Sequence, residues 1–172
     1  MKNVKSVLGL SLMAGAFALA GCNNKTAQES NLTPQEQQLD LRAPSGEQIA
    51  KDVAELKELM VPHVEATQQE HKDFVIDEIR YQPWEKGYMA EVIYTTNDGA
   101  SSNVVFVQQP AGLKVTSGDE TSGESGKASY SCMPNESETC SGGRLAISPE
   151  GDLSCVCDKG QTEGCSLHEI KY

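Results

Sequence analysis

Five of the six cysteines fall between residues 132 and 165, and that crowding constrains the fold more than any other feature. The segment's main apolar residues are Leu145, Ile147, Leu153 and Val156, too few for an adequate core, so cross-links are expected to hold it. Arg144–Ser148 and Leu153–Cys157 flank the turn-forming run Pro149-Glu150-Gly151-Asp152, which predicts a β-hairpin. On a strand, Cys155 and Cys157 point to one face with their Cα atoms ~7 Å apart, a separation that suits a relaxed mutual disulfide poorly. Each is therefore expected to reach a separate partner among Cys132, Cys140 and Cys165, leaving one thiol over. Two other uses stay open. Thiolates suit zinc or copper(I), with Cys155, Cys157 and Cys165 as ligands, although there is no C-x2-C pair and His168 is the only histidine nearby. A C-x-C pair can also cycle as a redox site, here without the βαβ pattern of thioredoxin-like proteins.

The other end of the chain bears on that choice. Lys2 and Lys5 precede an apolar run from Val7 to Ala20, shorter than the ~20 residues a membrane span needs, and the layout is that of a secretory signal peptide. Its last residues, Leu19-Ala20-Gly21-Cys22, resemble the lipobox of bacterial lipoproteins. The resemblance covers the first two dozen residues and implies cleavage between Gly21 and Cys22, a diacylglycerol on the Cys22 sulfur, and an acyl chain such as palmitate on the new amino terminus. Two or more acyl chains anchor firmly where one does not. Asn23 in place of the aspartate that favours inner-membrane retention in the enterobacterial pattern points to the outer membrane. Outside the cytoplasm thiols are normally oxidised, so structural disulfides are the preferred reading.

Without residues 1–21, twelve basic side chains face 25 acidic ones, a net charge of −13. Such a chain has no electrostatic basis for holding nucleic acid, and its membrane attachment must come from the acyl chains on Cys22.

Residues 22–45 are polar and read as a lipid-anchored flexible tether. Ser45 and Gln48 fit a capping box, and Ile49, Val53, Leu56 and Met60 recur at helical spacing, so a helix is expected from there until Pro62 ends or kinks it. Residues 74–81, 87–96, 103–109 and 113–116 are β-branched and aromatic-rich, with turn residues between the later ones. The expected fold is α+β: one N-terminal helix packed on a three- to four-stranded antiparallel meander, spanning 46–116. Residues 117–131 read as an acidic Gly/Ser-rich linker or loop, and 132–172 as a separate disulfide-stapled hairpin segment.

No catalytic pattern emerges. His63 and His71 are eight apart, against the one-turn spacing of a metalloprotease helix, and read as solvated. Ser129, Ser131 and Ser141 lack a G-x-S-x-G context. Gly142-Gly143 suits tight turning. Trp84, between the first two predicted strands, is a possible contact residue. The expectation is a non-enzymatic binding or scaffolding module with a protein partner in the envelope and no cofactor. A zinc- or copper-binding lipoprotein and a thiol redox protein are the alternatives.

Overall fold

The computed structural model describes residues 32–68, 72–82, 87–109, 126–135, 140, 142–149, 151–157 and 164–172. Within them the fold is mainly β: seven strands in two antiparallel sheets, with a single α-helix. The main sheet has five strands in the order β1 (Phe74–Gln82), β2 (Tyr88–Thr96), β3 (Ser101–Gln109), β4 (Gly126–Pro134) and β7 (Cys165–Lys171). The second sheet is the hairpin β5 (Gly143–Ile147) and β6 (Leu153–Cys157). The expected helix on a three- to four-stranded meander is thus overturned. Two strands were concealed by composition: β4 begins inside the Gly/Ser-rich run taken for a linker, and β7 joins the main sheet beside it. The expected strand at 113–116 lies outside the described residues.

The central strands of the main sheet, β2 to β4, are buried on both faces. Helix α1 (Val53–Gln68) covers one face, where Leu56, Met60 and Val64 pack against Ile76, Val92, Tyr94, Val104 and Phe106. The hairpin covers the other, where Leu145 and Leu153 meet Met89, Val105, Val107, Tyr130 and Cys132. Successive strand residues point to opposite faces, so β3 sends Val104 and Phe106 to the helix and Val105 and Val107 to the hairpin. The hairpin is therefore no appendage. Asn103 holds it from the main sheet, its Oδ1 accepting from the Leu145 N–H (2.8 Å) and its Nδ2 donating to the Leu145 carbonyl (2.9 Å).

The helix starts later than expected. Asp52 caps it, its Oδ1 accepting the Glu55 N–H at 2.9 Å, while the Glu55 carboxylate accepts the Lys51 N–H. The Ser45/Gln48 box does not form, because Arg42 and Gln48 bridge across a turn at Gly46, whose φ is +99°. Ile49 and Ala50 still enter the core, but from that turn. Pro62 neither ends the helix nor disturbs its buried side: it is exposed, so the carbonyl it leaves without an N–H donor can reach water.

Residues 32–45, expected as part of the tether, pack onto this framework. A 3-10 turn at Glu36–Gln38 places the Glu36 carboxylate in the interior with no exposed surface. Its Oε1 accepts from Lys57 Nζ (2.8 Å) and the Ile76 N–H (3.2 Å), and its Oε2 from the Thr33 N–H (2.9 Å). A register shift at Asp77 bulges β1, and Gln35 Nε2 donates to the Asp77 carbonyl at 2.6 Å. A bulge plus a covering segment protects a sheet edge that would otherwise recruit another strand.

Candidate functional site: a sulfur cluster and a groove

The cysteines converge on the hairpin side. Cys132 of β4 bonds to Cys155 of β6, and Cys140 bonds to Cys157 of β6, with Cα separations of 5.6 and 5.4 Å. Cys155 and Cys157 thus take separate partners, and Cys165 is the free thiol. It opens β7 opposite Pro134, while Cys132 stands opposite Leu167. Two-residue spacing places Cys132 and Cys165 on the same side of the sheet. The Cys165 Sγ lies within 4.8 Å of both sulfurs of each disulfide, so all five sulfurs form one cluster.

Gly143 makes this convergence possible. A Cβ built there would stand 2.7 Å from the Cys132 Cβ and 3.6 Å from the Cys165 Cβ. The residue lies within β5, so the expected use in tight turning is replaced by close approach. Cys165 is half-buried, and that burial pushes its thiol pKa up. As for metals, the donor set does not fit a thiolate site in the oxidised state, because four of the sulfurs are bonded in pairs. A trio such as Cys132, Cys155 and Cys165 offers three thiolates only after its disulfide is reduced.

A second cluster occupies the helix side. His63, expected in solvent, has no exposed surface. Its Nδ1 is 2.8 Å from Ser131 Oγ and its Nε2 2.6 Å from Ser129 Oγ. Ser129 Oγ is also 2.7 Å from the Tyr172 hydroxyl, and the His168 ring stands edge-on to His63 at 5.4 Å between centroids. Desolvation, with His168 adding to it, lowers the His63 pKa to about 3. A neutral ring has one donor and one acceptor nitrogen, so it accepts from one serine and donates to the other. This pairing is poorly suited to activating a nucleophile. Both serines are buried, the ring is a weak base, and its second nitrogen meets a hydroxyl where a triad would place a carboxylate. The cluster satisfies buried polar groups and fixes α1 on β4.

Beside it opens a groove of about 330 Å³, with Leu59, Phe106, Tyr88 and Tyr172 in its lining. Lys51, Glu55 and Lys127 contribute its charges. Burial pushes the Tyr88 phenol up to about 12, assisted by Glu47 and Tyr172, so it stays a neutral hydrogen-bond donor. Tyr172 remains 52% exposed, which makes it the accessible rim of the groove.

Of the residues singled out from sequence, Cys132, Cys140, Cys155, Cys157 and Cys165 come together, and Gly143 joins them. Gly21, Cys22, His71, Trp84 and Ser141 lie outside the described residues. Sequence reasoning missed the His63 cluster. The signal available was a histidine one residue before Val64, in register with Met60 on the helix's apolar stripe. Compared with family models, curated proteins and solved structures, the chain matches none. Among the described residues no helix is long and apolar enough to cross a membrane.

Proposed function

We propose that this chain is a lipid-anchored protein of the bacterial cell envelope whose domain is a non-enzymatic binding module. The observation that carries the reading is Leu19-Ala20-Gly21-Cys22 at the end of an apolar run, with Cys22 as the acylated residue and Gly21–Cys22 as the cleaved bond. Two disulfides support an oxidising compartment. Asn23 favours the outer membrane, with the domain in the periplasm or at the surface. Among the described residues the central sheet faces are covered by α1 and the hairpin, and the groove is the concave surface that supports a contact. Its apolar lining, with Lys51 and Lys127 against the single carboxylate of Glu55, suits an envelope protein segment presenting an apolar side chain next to a carboxylate.

The anchor is tested by mass analysis of the amino-terminal peptide from membrane-extracted protein. Acylated Cys22 is expected as the first residue, with Cys22→Ala retained as precursor; an unmodified Cys22 or a different first residue sinks the anchor. The groove is tested with a photocrosslinking residue at Leu59 and, as control, at exposed Arg144. A defined adduct from Leu59 alone, lost in Lys127→Glu, supports it; equal adducts from both positions refute it.

A further inference from the structure

We propose that the sulfur cluster is a thiol–disulfide exchange centre, in which Cys165 attacks the protein's own two disulfides and moves the free thiol among five positions. The inference is independent of the lipid anchor. It rests on Cys165 Sγ lying within 4.8 Å of every other sulfur in the cluster, and on Gly143, whose missing Cβ lets the hairpin strand β5 close onto the paired β4 and β7 cysteines. A free cysteine merely left over by an odd count has no need to sit against two disulfides at once.

The chemistry balances without a co-reactant. The Cys165 thiolate attacks the Cys155 sulfur, a Cys155–Cys165 bond forms, and the Cys132–Cys155 bond breaks. The electron pair leaves on the Cys132 sulfur, which takes up the proton that Cys165 released. Attack on Cys132 instead frees Cys155. The second disulfide offers the same choice between Cys157 and Cys140. The isomers differ in what they present. A thiol at Cys132 or Cys157 is buried, with 0% and 3% exposure, whereas Cys155 and Cys165 are half-buried. Exchange therefore hides or presents the reactive sulfur while the number of disulfides stays constant. Half-buried positions of this kind are where a thiol or disulfide of another protein would enter.

The test uses the full chain, purified without reductant. It is held folded for several hours, the timescale of uncatalysed disulfide rearrangement. It is then quenched in acid, alkylated with a maleimide in denaturant and digested at acid pH for mass spectrometric mapping. The expected result is adduct divided between Cys165 and at least one of Cys132, Cys140, Cys155 and Cys157, together with a disulfide peptide containing Cys165. Adduct on Cys165 alone at every time, with only the Cys132–Cys155 and Cys140–Cys157 peptides, overturns the proposal. Cys165→Ser is expected to give no adduct between residues 132 and 165 and an invariant peptide map there; redistribution in that variant also overturns it. Gly143→Ala puts a Cβ against the Cys132 side chain, which pushes the hairpin strand off the β4 and β7 cysteines, and is expected to slow exchange several-fold. Wild-type exchange rates in a Gly143→Ala chain that retains both native disulfides would refute the geometric basis, and if that variant fails to fold, the wild-type time course decides.

Discussion

Replacing Glu36 by alanine is expected to cost about 3 kcal/mol, a large effect for a residue in a stretch whose composition reads as tether. The carboxylate has no exposed surface and accepts from the Ile76 N–H, the Thr33 N–H and Lys57 Nζ. Ile76 is itself fully buried, so its N–H would lose its side-chain acceptor, at ~1–3 kcal/mol. Lys57 retains 28% side-chain exposure and can turn to water, so its loss counts for less, about 1 kcal/mol. The Thr33 N–H lies nearer the surface and adds a smaller amount. A total of about 3 kcal/mol corresponds to a fall in Tm on the order of 10 °C for a domain of this size. Urea denaturation of a soluble form beginning at Asn23 measures it, and Glu36→Gln, which keeps one acceptor, should lose about half as much.

The same carboxylate carries a pH signature. Burial alone would push its pKa up, but the bonds from Lys57, Thr33 and Ile76 outweigh that and hold it below the usual 4.5. A group depressed in the folded state stabilises the fold above its unfolded pKa, and that contribution is lost as pH falls through the folded value. The gap between wild type and Glu36→Gln should therefore be constant above pH ~5 and close below it. A Glu36→Ala effect within about 0.5 kcal/mol, the range of ordinary surface substitutions, would mean that residues 33–38 do not dock as described.

Two further outcomes follow from buried polar groups. Because the His63 pKa lies near 3, against 6.5 unfolded, the unfolded chain binds the extra proton first; stability is full above pH 6.5 and falls by about 1.4 kcal/mol per pH unit down to the folded value. Acid titration of unfolding in His63→Gln should remove that part of the slope, and an unchanged slope would refute the buried neutral ring. Asn103→Ala removes both bonds to the Leu145 backbone and one to Glu91, an expected loss of about 2–3 kcal/mol; hydrogen exchange at the Leu145 amide should accelerate, and retained protection there would show that the clamp is not needed.

What could be read from the sequence divides along physical lines. The first three strands and the β5–β6 hairpin follow from β-branched runs bounded by turn residues, and separate partners for Cys155 and Cys157 follow from strand geometry alone. The second covered face of the sheet also left a trace. Met89-Ala90 and Val104-Val105-Phe106-Val107 are continuous apolar runs, the pattern of a strand buried on both sides. The chain from Gly126 to Ser131 left no such trace, because two of its three buried positions are serines whose burial depends on a histidine 66 and 68 residues away, which leaves Tyr130 as a lone apolar signal. Glu36 was hidden for the same reason: a carboxylate enters a core only when its partners are already there, and Lys57 and Ile76 lie far along the chain. The anchor and Trp84 fall outside the described residues, and the groove arises from elements whose proximity only the tertiary fold creates.

The staple and the exchange centre are compatible because of the order of strands. Since β4 and β7 are neighbours in the main sheet, a Cys155–Cys165 bond ties β6 to that sheet as well as the Cys132–Cys155 bond does. Attack on the second disulfide, at either sulfur, leaves Cys132–Cys155 in place. Among the single-step isomers, only attack at Cys132 joins β4 to β7 and leaves β6 bonded to Cys140 alone. That isomer is also the one that frees half-buried Cys155. The hairpin would then rest on the Asn103 clamp and on the small apolar contact of Leu145 and Leu153. Presentation of a thiol and loosening of the hairpin are thus one event, while the other isomers move the thiol and keep the hairpin cross-linked to the main sheet.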